Sequence, residues 1–170
     1  MTRPTAIGRL RYDPRGASVP YRPWWLVLQC DGDWHRRLLV DVRGKLPQAW
    51  RIVTDPDRNV GKTRDVPHLG RVGRLIRPAW GCHISILRGE RPTKNAGAWG
   101  RDNGFEVTFE YDPDPWYNNE YVWYDVYSEG LLDMREAYGL RREPKQALHL
   151  TVARWAEDVP PWLGGEKRRF

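Results

Sequence analysis

His83-Ile84-Ser85-Ile86 and His149-Leu150-Thr151-Val152 are two short stretches of one pattern, in which polar and apolar residues alternate. Alternation of this kind has the period of a β-strand, so the pattern predicts strands over residues 82–87 and 148–153. Side chains two positions apart lie on the same face of a strand. The histidine and the hydroxyl residue of each stretch should therefore share one face, with the apolar residues directed into a core.

Other stretches around these two have the length or the alternation of strands. Residues 105–111 alternate strictly, as a half-exposed strand does, and residues 121–127 are the expected hairpin partner. The continuous apolar run at 24–30 predicts a buried strand, and 50–53 a short one. The first 20 residues are rich in Pro and Gly, so we expect there an irregular arm or a short edge strand around 7–12.

Two segments have the spacing of helices. Apolar residues within 34–42 recur on one helical face, and Asp33 is placed to cap that helix. Residues 131–138 predict a second helix, which Gly139 ends. The stretch 47–73 is rich in Asp, Arg, Pro and Gly and predicts a long loop.

The order of these elements looks duplicated along the chain. Strand, helix, long loop and motif strand are followed by strand, strand, helix and motif strand. We therefore expect an α+β fold in one domain over residues 1–170, with one lobe at about 20–90 and the other at about 104–156. Each lobe would be an antiparallel sheet with helices outside, and the two motif strands would line a central cleft.

Composition limits the class of protein. At 170 residues, the chain has the size of one domain, and it lacks both a long apolar run and an apolar leader near its start, so we expect neither membrane insertion nor export. Cys30 and Cys82 are expected to be free thiols in a reducing cytoplasm. The net charge of +6 favours anionic partners such as nucleic acid or nucleotides.

The chemistry of the motif residues suits a phosphodiester. Its cleavage needs one proton removed and one supplied, and a histidine with a pKa near ~6.5 can do either. The Ser85 and Thr151 hydroxyls can donate hydrogen bonds to the non-bridging oxygens. No group of His, Cys and Asp has the spacing of a metal site, so we expect neither metal nor cofactor. In the alternative interpretation, each histidine is an ordinary strand residue.

The repeated His-x-Ser/Thr-x pattern resembles the 2H phosphoesterase superfamily. Within it, the segments 80–90, 105–111, 121–127, 131–140 and 148–152 resemble the phage anti-CBASS phosphodiesterases, which degrade cyclic di- and trinucleotide immune signals. The resemblance implies cleavage of 3'-5' bonds by attack of the ribose 2'-OH, with His83 and His149 as base and acid in an order that sequence leaves open. It also implies a host bacterial cytoplasm if the chain is of phage origin.

Two other functions remain open. The same chemistry would serve a 2',3'-cyclic phosphodiesterase acting on RNA ends, and the same fold a non-catalytic module that binds RNA or nucleotides. A cyclic oligonucleotide is the expected partner, with RNA as a second candidate, and we expect no membrane and no obligate protein partner.

Several residues outside the motifs are candidates for substrate binding. Aromatic side chains can stack on bases, and charged ones beside the first motif can bind a base edge and a phosphate or, alternatively, form a surface ion pair. The aromatic candidates are Trp155, Trp80, Tyr21 and Tyr117, and the charged ones are Glu90 and Arg88.

Overall fold

The computed structural model describes residues 2–15, 21–30, 32, 34, 37–38, 51–52, 74–76, 78, 80–117, 121–155 and 168–169. The strands within these ranges are β1 Thr5–Tyr12, β2 Trp25–Gln29, β3 Arg51–Ile52, β4 Arg74–Ile76, β5 His83–Arg88, β6 Glu106–Tyr111, β7 Trp116–Tyr117, β8 Tyr121–Tyr127, β9 His149–Trp155 and β10 Arg168–Arg169. A 3-10 turn spans Ala96–Ala98, and helix α1 spans Glu129–Ala137.

Six of these strands close into one antiparallel barrel. Around the ring the order is β1, β2, β5, β9, β8 and β6, and β6 pairs with β1 to complete it. The short strands β4 and β3 extend the sheet beyond β9, and β7 and β10 extend it beyond β8. No helix within the described ranges is long and apolar enough to span a bilayer.

The predicted α+β fold of two lobes around a central cleft is wrong. The motif strands β5 and β9 are hydrogen-bonded neighbours in a single ring, and α1 is the one helix whose bounds lie wholly within the described residues. Periodicity identifies strands but not their partners, so a duplicated order of elements is compatible with one sheet as well as with two. Closing one ring leaves its six strands without exposed edges.

The barrel interior is built from alternate positions of the ring strands, as the sequence alternation predicts. Trp34 and Leu38 also join this core, and Trp34 packs its ring 5.2 Å from that of Tyr111. They have helical backbone, as predicted for 34–42, of which most residues lie outside the described ranges. The inward residues of the ring strands include Leu10, Leu26, Leu28, Ile84, Ile86, Phe109, Tyr124, Leu150 and Val152.

Most strand predictions are confirmed. The stretches predicted at 24–30, 50–53, 82–87, 105–111, 121–127 and 148–153 correspond to β2, β3, β5, β6, β8 and β9, and the second predicted helix is α1. Cys30 and Cys82 are buried and form no disulfide, as expected, and each thiol donates to a backbone carbonyl oxygen. The predicted loop at 47–73 lies largely outside the described residues.

A strand around 7–12 is confirmed as β1, but the expectation that it forms a sheet edge or an irregular arm is wrong. Strand β1 pairs with β2 on one side and β6 on the other, and so lies within the ring. Gly8 lets the backbone of β1 lie close to the Leu28 side chain and the Gln29 backbone of β2. A Cβ at this position would lie 2.6 Å from the Leu28 Cγ and 2.9 Å from the Gln29 carbonyl oxygen.

Substituting Gly8 tests how tightly β1 closes the barrel. We expect Gly8→Ala to lower the free energy of unfolding by about 1 to 3 kcal/mol, because the new methyl group must displace a core side chain and a strand backbone. Gly130→Ala is the matched control, since a Cβ there meets nothing within 4 Å. Urea unfolding at pH 7 measures both variants. Equal stability of the two would contradict this account of the closure.

Candidate functional site

The two motifs lie side by side on the outer face of the barrel. Strands β5 and β9 are antiparallel, with His83 opposite Thr151 and Ile84 opposite Leu150. Continuing this register by one residue places Ser85 opposite His149. Because Ile84 and Leu150 are fully buried in the core, the four polar residues share the other face. The predicted faces are confirmed, whereas the predicted arrangement of strands across a cleft is wrong.

Both histidines are held in the same way by the chain before them. The Nδ1 atom of His83 lies 2.8 Å from the carbonyl oxygen of Gly81, and that of His149 lies 2.8 Å from the carbonyl oxygen of Ala147. A carbonyl oxygen only accepts hydrogen bonds, so each Nδ1 must carry the proton. In the neutral ring, Nε2 then carries the lone pair that can accept a proton.

Burial distinguishes the first histidine from the second. His83 is 8% exposed, and the Trp80 ring packs edge-on against it at 5.3 Å between centroids. Burial lowers the pKa of His83 from 6.5 to about 4, partly opposed by the hydrogen bond to Gly81 and assisted by the charges of His149 and Arg88. His83 is therefore neutral at pH 7 and able to accept a proton.

His149 lies in a more open position, with a cation beside its second nitrogen. It is half-buried, and its ring lies 5.9 Å from that of Trp123. The Arg88 Nη2 lies 3.4 Å from the His149 Nε2, so the guanidinium donates to the imidazole lone pair. Asp125 is the residue opposite His149 on β8. The site thus combines two imidazoles, two hydroxyls and one arginine.

A β-bulge turns Arg88 toward this site. Between β2 and β5, Val27 pairs with Ser85 and Leu26 with Leu87, which leaves Ile86 as an extra residue. Without the bulge, Arg88 would follow Ile86 onto the inward face. With it, Leu87 enters the core and Arg88 emerges on the histidine face, as bulges at functional sites often re-aim a side chain.

A buried arginine on α1 holds this bulge in place. Arg135 is 1% exposed and donates a hydrogen bond to the carbonyl oxygen of Ile86. It also donates to both carboxylate oxygens of Glu90, at 2.7 and 2.8 Å. Glu90, a predicted ligand of a base edge, is thus paired with Arg135 and accepts from the Arg88 backbone amide at 3.3 Å.

The second motif strand repeats the bulge. Between β8 and β9, Trp123 pairs with Thr151 and Val122 with Ala153, so Val152 is the extra residue. Ala153 is buried, and Arg154 lies opposite Tyr121 on the histidine face. The repeat is therefore longer than the two predicted motifs. It is His-x-Ser/Thr-x-x-Arg. The sequence identified Arg88 as a candidate but not Arg154 or the shared position, because strict alternation assigns that position to the core.

Of the remaining predicted binding residues, Trp80 and Tyr21 have described side chains. Trp80 contacts His83, but Tyr21 is 61% exposed, with the Arg15 guanidinium 6.0 Å from its ring. Trp155 is the last residue of β9 and pairs with Leu75 on β4. The side chains of Trp155 and Tyr117 lie outside the described residues.

Among the residues that the structure describes, no three or more His, Cys, Asp or Glu side chains are grouped to hold a metal ion. Comparisons with protein-family models, with curated proteins and with solved structures gave no match to this chain. The resemblance to the 2H phosphoesterases thus stays a prediction carried by the two motifs.

The low pKa of His83 should make stability depend on pH. The ring binds a proton at about pH 4 in the folded state and near 6.5 in the unfolded state, so stability falls as the pH drops between these values. The full loss amounts to about 3 kcal/mol at ~1.4 kcal/mol per pKa unit. We expect His83→Gln to flatten this part of the pH dependence, measured by urea unfolding from pH 4 to 7.

Ser85→Ala is the matched control for that series, because it alters the same strand face without removing a titratable group. It should retain the wild-type pH dependence. A His83→Gln variant that loses stability as steeply as the wild type below pH 6.5 would show that His83 is not buried in neutral form.

The hydrogen bonds of Arg135 predict a large structural effect. Arg135→Gln leaves the Glu90 carboxylate unpaired and removes the donor at the bulge carbonyl, so we expect a loss of about 2 to 3 kcal/mol of unfolding free energy. The carboxylate is 41% exposed, which keeps this below the cost of breaking a fully buried pair. Arg142→Gln, whose partners Glu129 and Asp133 are exposed, is the control and should change stability little. Comparable losses in urea unfolding of both variants would contradict this role.

Proposed function

We propose that this chain is a metal-independent phosphodiesterase whose site is the outer face of β5 and β9. The observation that carries the proposal is the cross-strand quartet of His83, Thr151, Ser85 and His149, with both Nδ1 atoms anchored on carbonyl oxygens. This arrangement presents two Nε2 atoms and two hydroxyls on one face. Those groups are sufficient for proton transfer at both ends of a phosphodiester and for hydrogen bonds to its charged oxygens.

The environments of the two histidines suggest their roles. His83 is neutral at pH 7, so its Nε2 takes the proton of the attacking ribose 2'-OH. The 2'-oxygen then bonds to phosphorus, the bond to the 5'-oxygen breaks, and His149 supplies the proton that this leaving oxygen needs. Ser85 and Thr151 donate to the non-bridging oxygens as charge develops there. The product is a 2',3'-cyclic phosphate, which water can open with the two roles reversed.

Arg88 assists the proton donor in this scheme. In the free protein its guanidinium donates a hydrogen bond to the Nε2 of His149. A phosphate is a stronger acceptor for arginine than a neutral imidazole, because the hydrogen bond is charge-assisted and can be bidentate. Binding of substrate therefore draws Arg88 onto phosphate and frees Nε2 to carry a proton.

For the substrate, we propose cyclic di- or trinucleotides with 3'-5' linkages, as in the phage enzymes that the motifs resemble. The basic charge of the chain supports an anionic ligand. A 2',3'-cyclic phosphodiesterase acting on RNA ends would use the same quartet. A non-catalytic module would bind nucleotides on the same face of β5 and β9 without proton transfer by the histidines.

Substitution of each histidine tests the proposal. His83→Ala and His149→Ala should each lower the cleavage rate by about 10² to 10⁴-fold, the usual contribution of a positioned acid or base. Cyclic dinucleotides, cyclic trinucleotides and 2',3'-cyclic mononucleotides are incubated with protein in EDTA and the products separated by chromatography. Arg9→Gln, which removes a cation from an exposed ion pair with Glu106, is the control and should cleave as the wild type does.

Two further measurements, on a 2'-deoxy substrate and on the pH dependence of the rate, test the mechanism and distinguish the enzyme from a binding module. A 2'-deoxy analogue should survive, because it lacks the attacking hydroxyl, and its efficient cleavage would exclude this mechanism. With wild-type protein, kcat/KM should stay high as the pH falls and decline only near pH 4, where His83 gains its proton. No cleavage of any ribonucleotide in the panel would favour the binding module.

A further inference from the structure

Two half-buried arginines on the histidine face, Arg88 and Arg154, form no ion pair with a carboxylate of the residues that the structure describes. Elsewhere in the described chain, Arg9, Arg135 and Arg142 each pair with a Glu or Asp side chain. The Arg88 Nη2 lies 3.4 Å from the His149 Nε2. Burial lowers the pKa of Arg88, and the Glu90 carboxylate, which is ion-paired with Arg135, opposes this effect only in part. The Nε atom of Arg154 is buried and has no hydrogen-bond acceptor.

A cation removed from water without a counter-ion is unfavourable. Within the described residues, neither Arg88 nor Arg154 has a carboxylate in an ion pair, and the two lie on one face at the same position of a repeated motif. The two β-bulges are what bring these arginines onto this face rather than into the core. A bound anion would supply the missing charge and acceptors, and arginine suits phosphate because its planar fork binds two oxygens at once.

The register fixes where these cations lie relative to the quartet. Arg88 and Arg154 are each four residues beyond the central pair of Ile84 and Leu150, in opposite directions because the strands are antiparallel. At ~3.3 Å per residue, each α-carbon lies roughly 10 to 13 Å of strand from the centre. The arginines thus flank the histidines on both sides.

We propose that Arg88 and Arg154 are two equivalent anion-binding positions and that the site takes an oligonucleotide with at least two phosphates. A mononucleotide can engage only one of the two arginines, whereas a dinucleotide with two phosphates spans the quartet. This ligand class rests on the proposed function, but the arginine pair is independent of whether the histidines catalyse cleavage.

Binding of a DNA dinucleotide tests the pair without cleavage. The probe is d(pApA), which has two phosphates and no 2'-OH, compared with dAMP, which has one phosphate. Affinity is measured by calorimetry at 50 and 200 mM NaCl. Arg88→Gln and Arg154→Gln should each weaken d(pApA) binding about tenfold and lower the slope of log K against log salt by about 0.7, the single-strand value per phosphate contact. The double variant should bind about a hundredfold more weakly.

Controls follow from the same geometry. Arg9→Gln removes an equal charge from an exposed ion pair and should leave affinity and salt slope unchanged. Either single substitution should weaken dAMP by no more than about twofold, because the other arginine still serves one phosphate. Should Arg154→Gln fail to fold, wild-type protein labelled with ¹⁵N-arginine gives the same answer, since the Nε–Hε signals of Arg88 and Arg154 should both shift on adding d(pApA).

The outcomes separate this inference from the proposed function. Wild-type affinity and slope in Arg154→Gln, an unmoved Arg154 signal, or no binding of d(pApA) to the wild type would overturn the arginine pair. If binding of d(pApA) depends on both arginines but the protein cleaves no ribonucleotide, the phosphodiesterase proposal alone is overturned. Cleavage that does not depend on Arg154 would overturn the arginine pair alone.

Discussion

The antiparallel pairing of β5 with β9 is the constraint on which the rest of the site depends. With His83 opposite Thr151, the next residues in register bring Ser85 opposite His149, and the sheet holds all four groups on one face. A slip of one residue would send one strand's polar pair into the core. The buried faces of both strands therefore fix the register, and the register determines which polar side chains are neighbours on the outer face.

The same framework places two chemically identical histidines in unlike surroundings. Both donate Nδ1–H to a carbonyl two residues earlier, yet His83 is buried against Trp80, whereas His149 is more open and accepts from Arg88. Acid–base chemistry at one pH needs two groups that differ in protonation. The nearly symmetric strands supply the positions for the proposed pair, and unequal burial makes the surroundings of the two rings different.

Sequence predicted the strands, their faces and one pairing, that of β6 with β8, but neither the other pairings nor the bulges. Alternation was sufficient to place His83 and Ser85 on one face, because the period of a strand is local information. The barrel depends on pairing between distant strands, which alternation does not encode. Arg88 and Arg154 required bulges that reverse the parity, and Arg135 acts on the first bulge from a helix 49 residues away from Ile86. Periodicity predicts neither a bulge nor the hydrogen bond from Arg135 to it.

The most direct test of the central claim, that the two motifs form one site, is the rate of the double variant His83→Ala/His149→Ala against the two single variants. With a cyclic dinucleotide as substrate, groups that act together are strongly non-additive, so the double variant should cleave within about tenfold of the slower single variant. Independent effects that multiply, or one single variant with the wild-type rate, would contradict a shared site.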